Sequence, residues 1–154
     1  MNQEAYEEAK KCAHRILRAR DKTSYELRKR LQEKGHGAEV ADKVVERFVE
    51  VGLVDDERYL EFYLLSARAS HKGWQRVLRE LEQKGIDTEG LAPPEPEEEL
   101  DNALAVIERL PITTYKEREK ALRRLVNKGY NYGIAKRAVD SRWNEEEIGE
   151  DGGA

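Results

Sequence analysis

A chain of 154 residues with 39% Asp, Glu, Lys and Arg, 38% apolar residues and a mean hydropathy of −0.89 is too charged for one thick globular core. No apolar run approaches the roughly 18–20 residues of a membrane span. The N-terminal residues lack a signal-peptide layout and the one cysteine, Cys12, allows no internal disulfide, so a cytoplasmic protein with no membrane partner is expected. The net charge of −4 conceals a segregation: residues 92–101 and the tail from 145 hold ten of the 32 acids and no base, leaving 28 basic against 22 acidic residues elsewhere.

Nearly every long segment has helical period, which predicts an all-α chain. Ala5, Ala9, Cys12 and Ile16 mark a helix from about 3 to 20, in which Cys12 reads as a small buried hydrophobe. Thr23-Ser24-Tyr25-Glu26 has the form of a capping box and opens a second helix, closed at Lys34-Gly35. A third, from about 38 to 51, turns Val40, Ala41, Val44, Val45 and Phe48 inward and stops at Gly52. Asp55 and Asp56 cap a fourth, running to about Ser70. Further on, Pro93, Pro94 and Pro96 break any helix, so Ile86–Leu91 forms at most a short one and a hinge follows. Helices over about 97–110, 114–128 and 131–143 complete the chain.

One phrase occurs three times: Leu31-Gln32-Glu33-Lys34-Gly35, Leu81-Glu82-Gln83-Lys84-Gly85 and Leu125-Val126-Asn127-Lys128-Gly129. In this register Leu stands four before the glycine, Lys one before it (Lys34, Lys84, Lys128), a base six before it (Lys29, Arg79, Arg123) and Lys thirteen before it (Lys22, Lys72, Lys116). Lys116, Lys120, Arg124 and Lys128 step by four, so at 100° per residue they drift only about 40° each and share one helical face. Glu26 and Glu80 interrupt the equivalent line in the first and second units. The expected architecture is an elongated array of three tandem three-helix, helix-turn-helix-like repeats, the second with a shortened third helix. Its divisions are 3–52, 53–92, a Pro/Glu hinge at 93–96, 97–144, and an acidic disordered tail at 145–154.

No catalytic constellation is present. His14, His36 and His71 have no metal-ligand spacing and Gly35-His36-Gly37 is a helix junction, so no enzyme, metal, cofactor or small-molecule substrate is expected. Three readings stand on the residues alone. The first places basic repeat faces, with Arg30 and Arg76 beside the positions above, on a large polyanionic or filamentous partner. The second is a helix-turn-helix-like binder acting directly on DNA, and the third is a helical-repeat interaction scaffold. Tyr25, Trp74, Tyr115, Tyr130 and Tyr132 lie near the basic segments, and helix-junction packing outweighs base stacking as their expected role.

Two stretches resemble the RecX family, regulators of the RecA recombinase. One is Ala13–Leu17 through Arg20, with Ser24-Tyr25-Glu26-Leu27 and Leu31 to Gly35. The other, more specific, is Gly52-Leu53-Val54-Asp55-Asp56-Glu57-Arg58-Tyr59, followed by Arg68, Gly73, Leu78-Arg79-Glu80-Leu81 and Gly85-Ile86. The similarity covers about residues 10–86. It implies a non-catalytic modulator that lies in the groove of the RecA filament on single-stranded DNA, hindering extension, ATP turnover and strand exchange; a monomer is expected, and the acidic segment at 93–99 and the acidic tail leave weak contact to bare DNA at most. Asp55, Asp56 and Arg58 match the family motif; Asp55 and Asp56 are assigned to capping, and Arg58 to pairing with an acid of the fold. The contact residues expected from periodicity are Lys22, Lys29, Arg30, Lys34, Lys72, Arg76, Arg79, Lys84, Lys116, Lys120, Arg123, Arg124 and Lys128.

Overall fold

The computed structural model describes residues 2–143 in full and, over residues 144–153, the backbone alone. All regular structure among the described residues is helical, as the periodicity predicts: α1 (Gln3–Ala19), α2 (Ser24–Glu33), α3 (Ala38–Glu50), α4 (Asp56–Ala69), α5 (Trp74–Gln83), α6 (Pro96–Ile107), α7 (Tyr115–Lys128) and α8 (Tyr132–Gly153). The expected disorder at 145–154 lies outside the fully described residues. No helix is long and apolar enough to cross a membrane, and no group of side chains has the make-up of a metal site, both statements being of the described residues.

The chain divides into two compact units, residues 1–63 with 81–88, and residues 64–80 with 89–154; α4 and α5 each contribute to both. In the first unit α1, α2 and α3 pack pairwise around Cys12, Ile16, Leu27, Leu31, Val44, Val45 and Phe48. Asn2 caps α1 by accepting the amide of Glu4 at 2.9 Å, and Thr23 and Glu26 form the capping box that opens α2. In the second unit α6, α7 and α8 enclose Ile107, Ile112, Leu125, Tyr130 and Val139. Thr114 and Glu117 repeat the capping box at α7.

Two expectations need correction. The shortened third helix of the middle repeat is absent: residues 84–95 make two turns, at Lys84-Gly85 and Glu89-Gly90, and otherwise irregular backbone. Pro93 and Pro94 push their predecessors out of the helical region, and helix resumes only at Pro96, where a missing amide costs nothing. The sixth helix also stops at Ile107 rather than 110. Pro111 disfavours helix just before it, and the Arg142 guanidinium takes over the end, donating to the carbonyls of Ile107 at 2.7 Å and Leu110 at 2.8 Å.

Candidate functional site

The three Lys-Gly phrases end their helices alike. At each, the glycine has a positive φ, +97° at Gly35, +75° at Gly85 and +112° at Gly129. The following amide, of His36, Ile86 or Tyr130, donates to the leucine five residues earlier at 3.0–3.1 Å. This is the Schellman arrangement, which leaves the last carbonyls of the helix pointing outward as acceptors.

Two of these ends receive the start of another repeat's basic helix. Within the first unit, Thr23 is fully buried at the start of α2 and its hydroxyl donates to the Lys84 carbonyl at 2.6 Å. A Cβ at Gly85 would lie 2.3 Å from the Cβ of Tyr25. Within the second unit, the amide of Gly73, just before α5, donates to the Lys128 carbonyl at 3.0 Å, and that of Gln75 to the Gly129 carbonyl at 3.1 Å. The Tyr130 hydroxyl reaches back to the His71 carbonyl at 2.6 Å. Burial pushes the Tyr130 phenol well above its ordinary pKa, so it remains a donor. Thr23 and Gly73 occupy the same register, twelve before the glycine of their own repeat, so the Lys-Gly phrase is a socket formed by backbone.

The family-motif residues gather at these ends. Asp55 caps α4 by accepting the amide of Arg58 at 3.1 Å. Asp56 does something the sequence did not signal: its carboxylate accepts the Ser24 amide at 2.8 Å and the Ser24 hydroxyl at 2.6 Å, tying the start of α4 to the start of α2. Leu27 is fully buried, and Gly52 gives α3 the same left-handed ending, at φ +79°. Arg58 is exposed and shares in none of the ion pairs among the described residues.

Three predicted bases, Lys84, Lys72 and Arg76, hold two internal acids. Lys84 reaches Glu26 at 3.4 Å and lies over the Tyr59 ring, 5.4 Å from its centroid. Burial disfavours its charge, but the hydrogen bond with Tyr59 and the Glu26 carboxylate outweigh that and hold its pKa above the ordinary value. Lys72 reaches Glu80 at 3.0 Å, and the same carboxylate meets Arg76 at 3.4 Å. Glu26 and Glu80, the two interruptions of the basic line in the sequence, are thus the partners of bases in that line.

Two clefts gather most of the predicted bases, Arg76 among them. In the second unit a shallow cleft of about 600 Å³ is lined by Arg76, Lys116, Lys120, Arg123, Arg124, Asn127 and Lys128, with no carboxylate among them. The four-step spacing on α7 predicts one wall, and the seating of α5 on Gly129 adds Arg76. In the first unit a groove of about 400 Å³ along α1 and α2 contains Lys22, Arg30 and Lys34 together with Arg15 and Arg20. Arg15 and Arg20 lie outside the repeat register, so periodicity could not select them. Lys29 and Arg79 are exposed and line neither cleft.

Among the aromatics, Tyr130 is buried and Trp74 half-buried, whereas Tyr115 and Tyr132 are exposed; the Tyr115 ring leans on Trp143 at 5.2 Å. A cavity of about 320 Å³ lies within the second unit, between Leu64, Trp74, Val77, Leu91 and the carboxylates of Glu98 and Glu99. Glu99 is 9% exposed and accepts the Trp74 amide at 3.4 Å. Burial raises its pKa above 4.5, the Trp74 bond opposes that, and Glu98 adds to it. Between 4.5 and the raised value the folded state holds more protons than the unfolded one, so this group makes stability fall as pH rises through that window. Glu99→Gln should therefore flatten the decline in melting temperature above pH 4.5 and be the more stable form at neutral pH. Parallel melting curves for the two proteins across that window would reject this.

Known relatives agree with this architecture. Family models for RecX match twice, the first three-helix domain over residues 9–48 and the second over residues 55–89. The regulatory protein RecX of Mycolicibacterium smegmatis is 34% identical over 144 residues, covering 84% of this chain and 76% of that protein. That of Amycolatopsis mediterranei is 32% identical over 155 residues, covering 93% and 87%. The crystal structure of RecX from Lactobacillus salivarius superposes with a TM-score of 0.72 over 92% of this chain and 98% of that one, at 18% identity, a likeness of fold. Sequence identity over most of both chains, with both domains matched, establishes that this chain belongs to the RecX family of regulatory proteins.

Proposed function

We propose that the chain is a non-catalytic regulator of homologous recombination and DNA repair that binds the RecA filament on single-stranded DNA, as a monomer in the cytoplasm, and inhibits its extension, ATP hydrolysis and strand exchange. The observation that carries this reading is the cleft between α5 and α7, where six cationic side chains converge with no carboxylate in the lining. A concave surface of one sign focuses its field and draws a polyanionic assembly toward it. The division into units at 3–52, 53–92 and 97–144 with a hinge at 93–96 belongs to the same reading. Weak contacts from successive units add through effective concentration.

The test is RecA ATP hydrolysis on single-stranded DNA with this protein added before or after filament assembly. Beside it runs a variant carrying Lys116→Glu, Lys120→Glu, Arg124→Glu and Lys128→Glu. The wild-type chain should inhibit well below equimolar protein, and the variant should need about tenfold more or fail altogether. The first three side chains are exposed and Lys128 is half-buried, so circular dichroism should show the helices intact in the variant. Equal inhibition by both proteins would remove the cleft from the mechanism. No inhibition in either order of addition would remove the filament reading and favour a direct nucleic-acid binder, which a titration with bare single-stranded DNA measures.

A further inference from the structure

We propose that the C-terminal end of α2, at Lys34 and Gly35, is a vacant copy of the repeat socket and docks the first turn of an acidic helix from another protein. The geometry is that of the two occupied sockets: the same Leu-x-x-Lys-Gly phrase, the same positive φ at the glycine and the same closing hydrogen bonds. The surroundings differ. At Gly85 and Gly129 an added Cβ would strike Tyr25 or Arg76 at 2.3 Å, because a helix start is already seated there. At Gly35 nothing lies within 4 Å. Among the described residues no donor sits on the carbonyls of Lys34 or Gly35, whereas those of Lys84, Lys128 and Gly129 each have one.

The occupied copies define what fits. Both hold the beginning of a helix, which offers the outward carbonyls the Thr23 cap hydroxyl in one case and the Gly73 and Gln75 amides in the other, and whose dipole meets the other head to tail. The groove beside the vacant end selects charge: Arg15, Arg20, Lys22, Arg30 and Lys34 line it, with Arg30 also sharing exposed Glu33 at 3.3 Å. Carboxylates are favoured in the first turn of a helix, so an acidic first turn satisfies the socket and the groove together. A second copy of this chain does not supply that turn: α6 is its helix with three acids in the first turn, and there Glu97 pairs with Arg137 at 3.0 Å, Glu98 with Arg68 at 3.9 Å, and Glu99 accepts the Trp74 amide at 3.4 Å.

The test is a titration of the full chain, labelled with nitrogen-15, with a synthetic helical peptide opening on Ser-Pro-Glu-Glu-Glu. A peptide of the same composition with its three glutamates moved to the last turn serves as comparison. Amide shifts should centre on Lys34, Gly35 and His36. The first peptide should bind about fivefold more tightly than the second. Arg15→Gln with Arg30→Gln should weaken it about fivefold, and Lys116→Gln with Arg124→Gln should leave it unchanged. All four side chains are exposed, so both variants should melt as the wild type does. Shifts centred on α7, equal binding of the two peptides, or no shifts at millimolar peptide would each overturn the proposal. RecA is absent from this measurement, so its outcome is separate from that of the filament test.

Discussion

Replacing Gly73 by alanine is expected to destabilise the chain by about 3 kcal/mol, a fall of about 6–12 °C in melting temperature for a protein of this size. The new methyl carbon would stand 2.2 Å from the carbonyl carbon of Gly129, 2.4 Å from the amide of Tyr130 and 2.5 Å from the Gly129 oxygen. All three are backbone atoms, so no rotamer change can yield space. Moving the two segments apart would break the bonds that Gly73 and Gln75 give to Lys128 and Gly129, and would pull the buried Tyr130 hydroxyl from His71. A buried acceptor left without its donor costs about 1–3 kcal/mol more. Gly37→Ala is the control: its φ is −67° and nothing lies within 4 Å of the added carbon, so it should cost at most about 1 kcal/mol, the difference between glycine and alanine at the N-cap of α3. Thermal melts of the two variants would decide the matter, and equal melting temperatures would mean that the α5–α7 junction contributes little to stability.

The helices were legible because their signals are local. Apolar spacing marks the buried faces of α1 and α3, and one capping box marks the start of α2, whereas the matching box at Thr114 and Glu117 emerges only from the structure. The Lys-Gly phrase was legible as a repeat but not in its meaning. Its recurring work within this chain is done by carbonyl groups at Lys84 and Lys128, and backbone acceptors leave no trace in residue identity. The glutamates that broke the basic line looked like imperfections of the repeat. They are instead the partners of Lys84 and Lys72, at distances of 58 and 8 residues along the chain, the first of which no periodicity can report. Arg76 joined the α7 cleft through the same long-range seating, and Arg15 and Arg20 joined the other groove because α1 packs beside α2. What the sequence withheld was consistently the pairing of one repeat's start with another's end.

The second large effect is expected at Asp56. Asp56→Ala should cost about 2–3 kcal/mol, against about 1 kcal/mol for Asp55→Ala, although the two carboxylates are adjacent and read alike in sequence. Asp55 satisfies one amide of its own helix, the ordinary worth of a cap. Asp56 is half-buried and accepts two hydrogen bonds from Ser24, and it does so where α2 and α4 both begin, so one negative charge meets the positive ends of two helix dipoles. Removing it strands the Ser24 amide in a part-buried junction and detaches the start of α2, which also carries the Thr23 donor seated on Lys84. Ser24→Ala removes only the hydroxyl partner, so a double-mutant cycle between Ser24 and Asp56 should give a coupling of about 1–2 kcal/mol, whereas Ser24 and Asp55 should be additive. Asp56→Asn keeps the shape and one acceptor but loses the charge, and should fall between wild type and alanine. If Asp55→Ala proved the costlier change, the junction would owe its stability to the cap of α4, and the clasp between the two helix starts would be incidental to the fold.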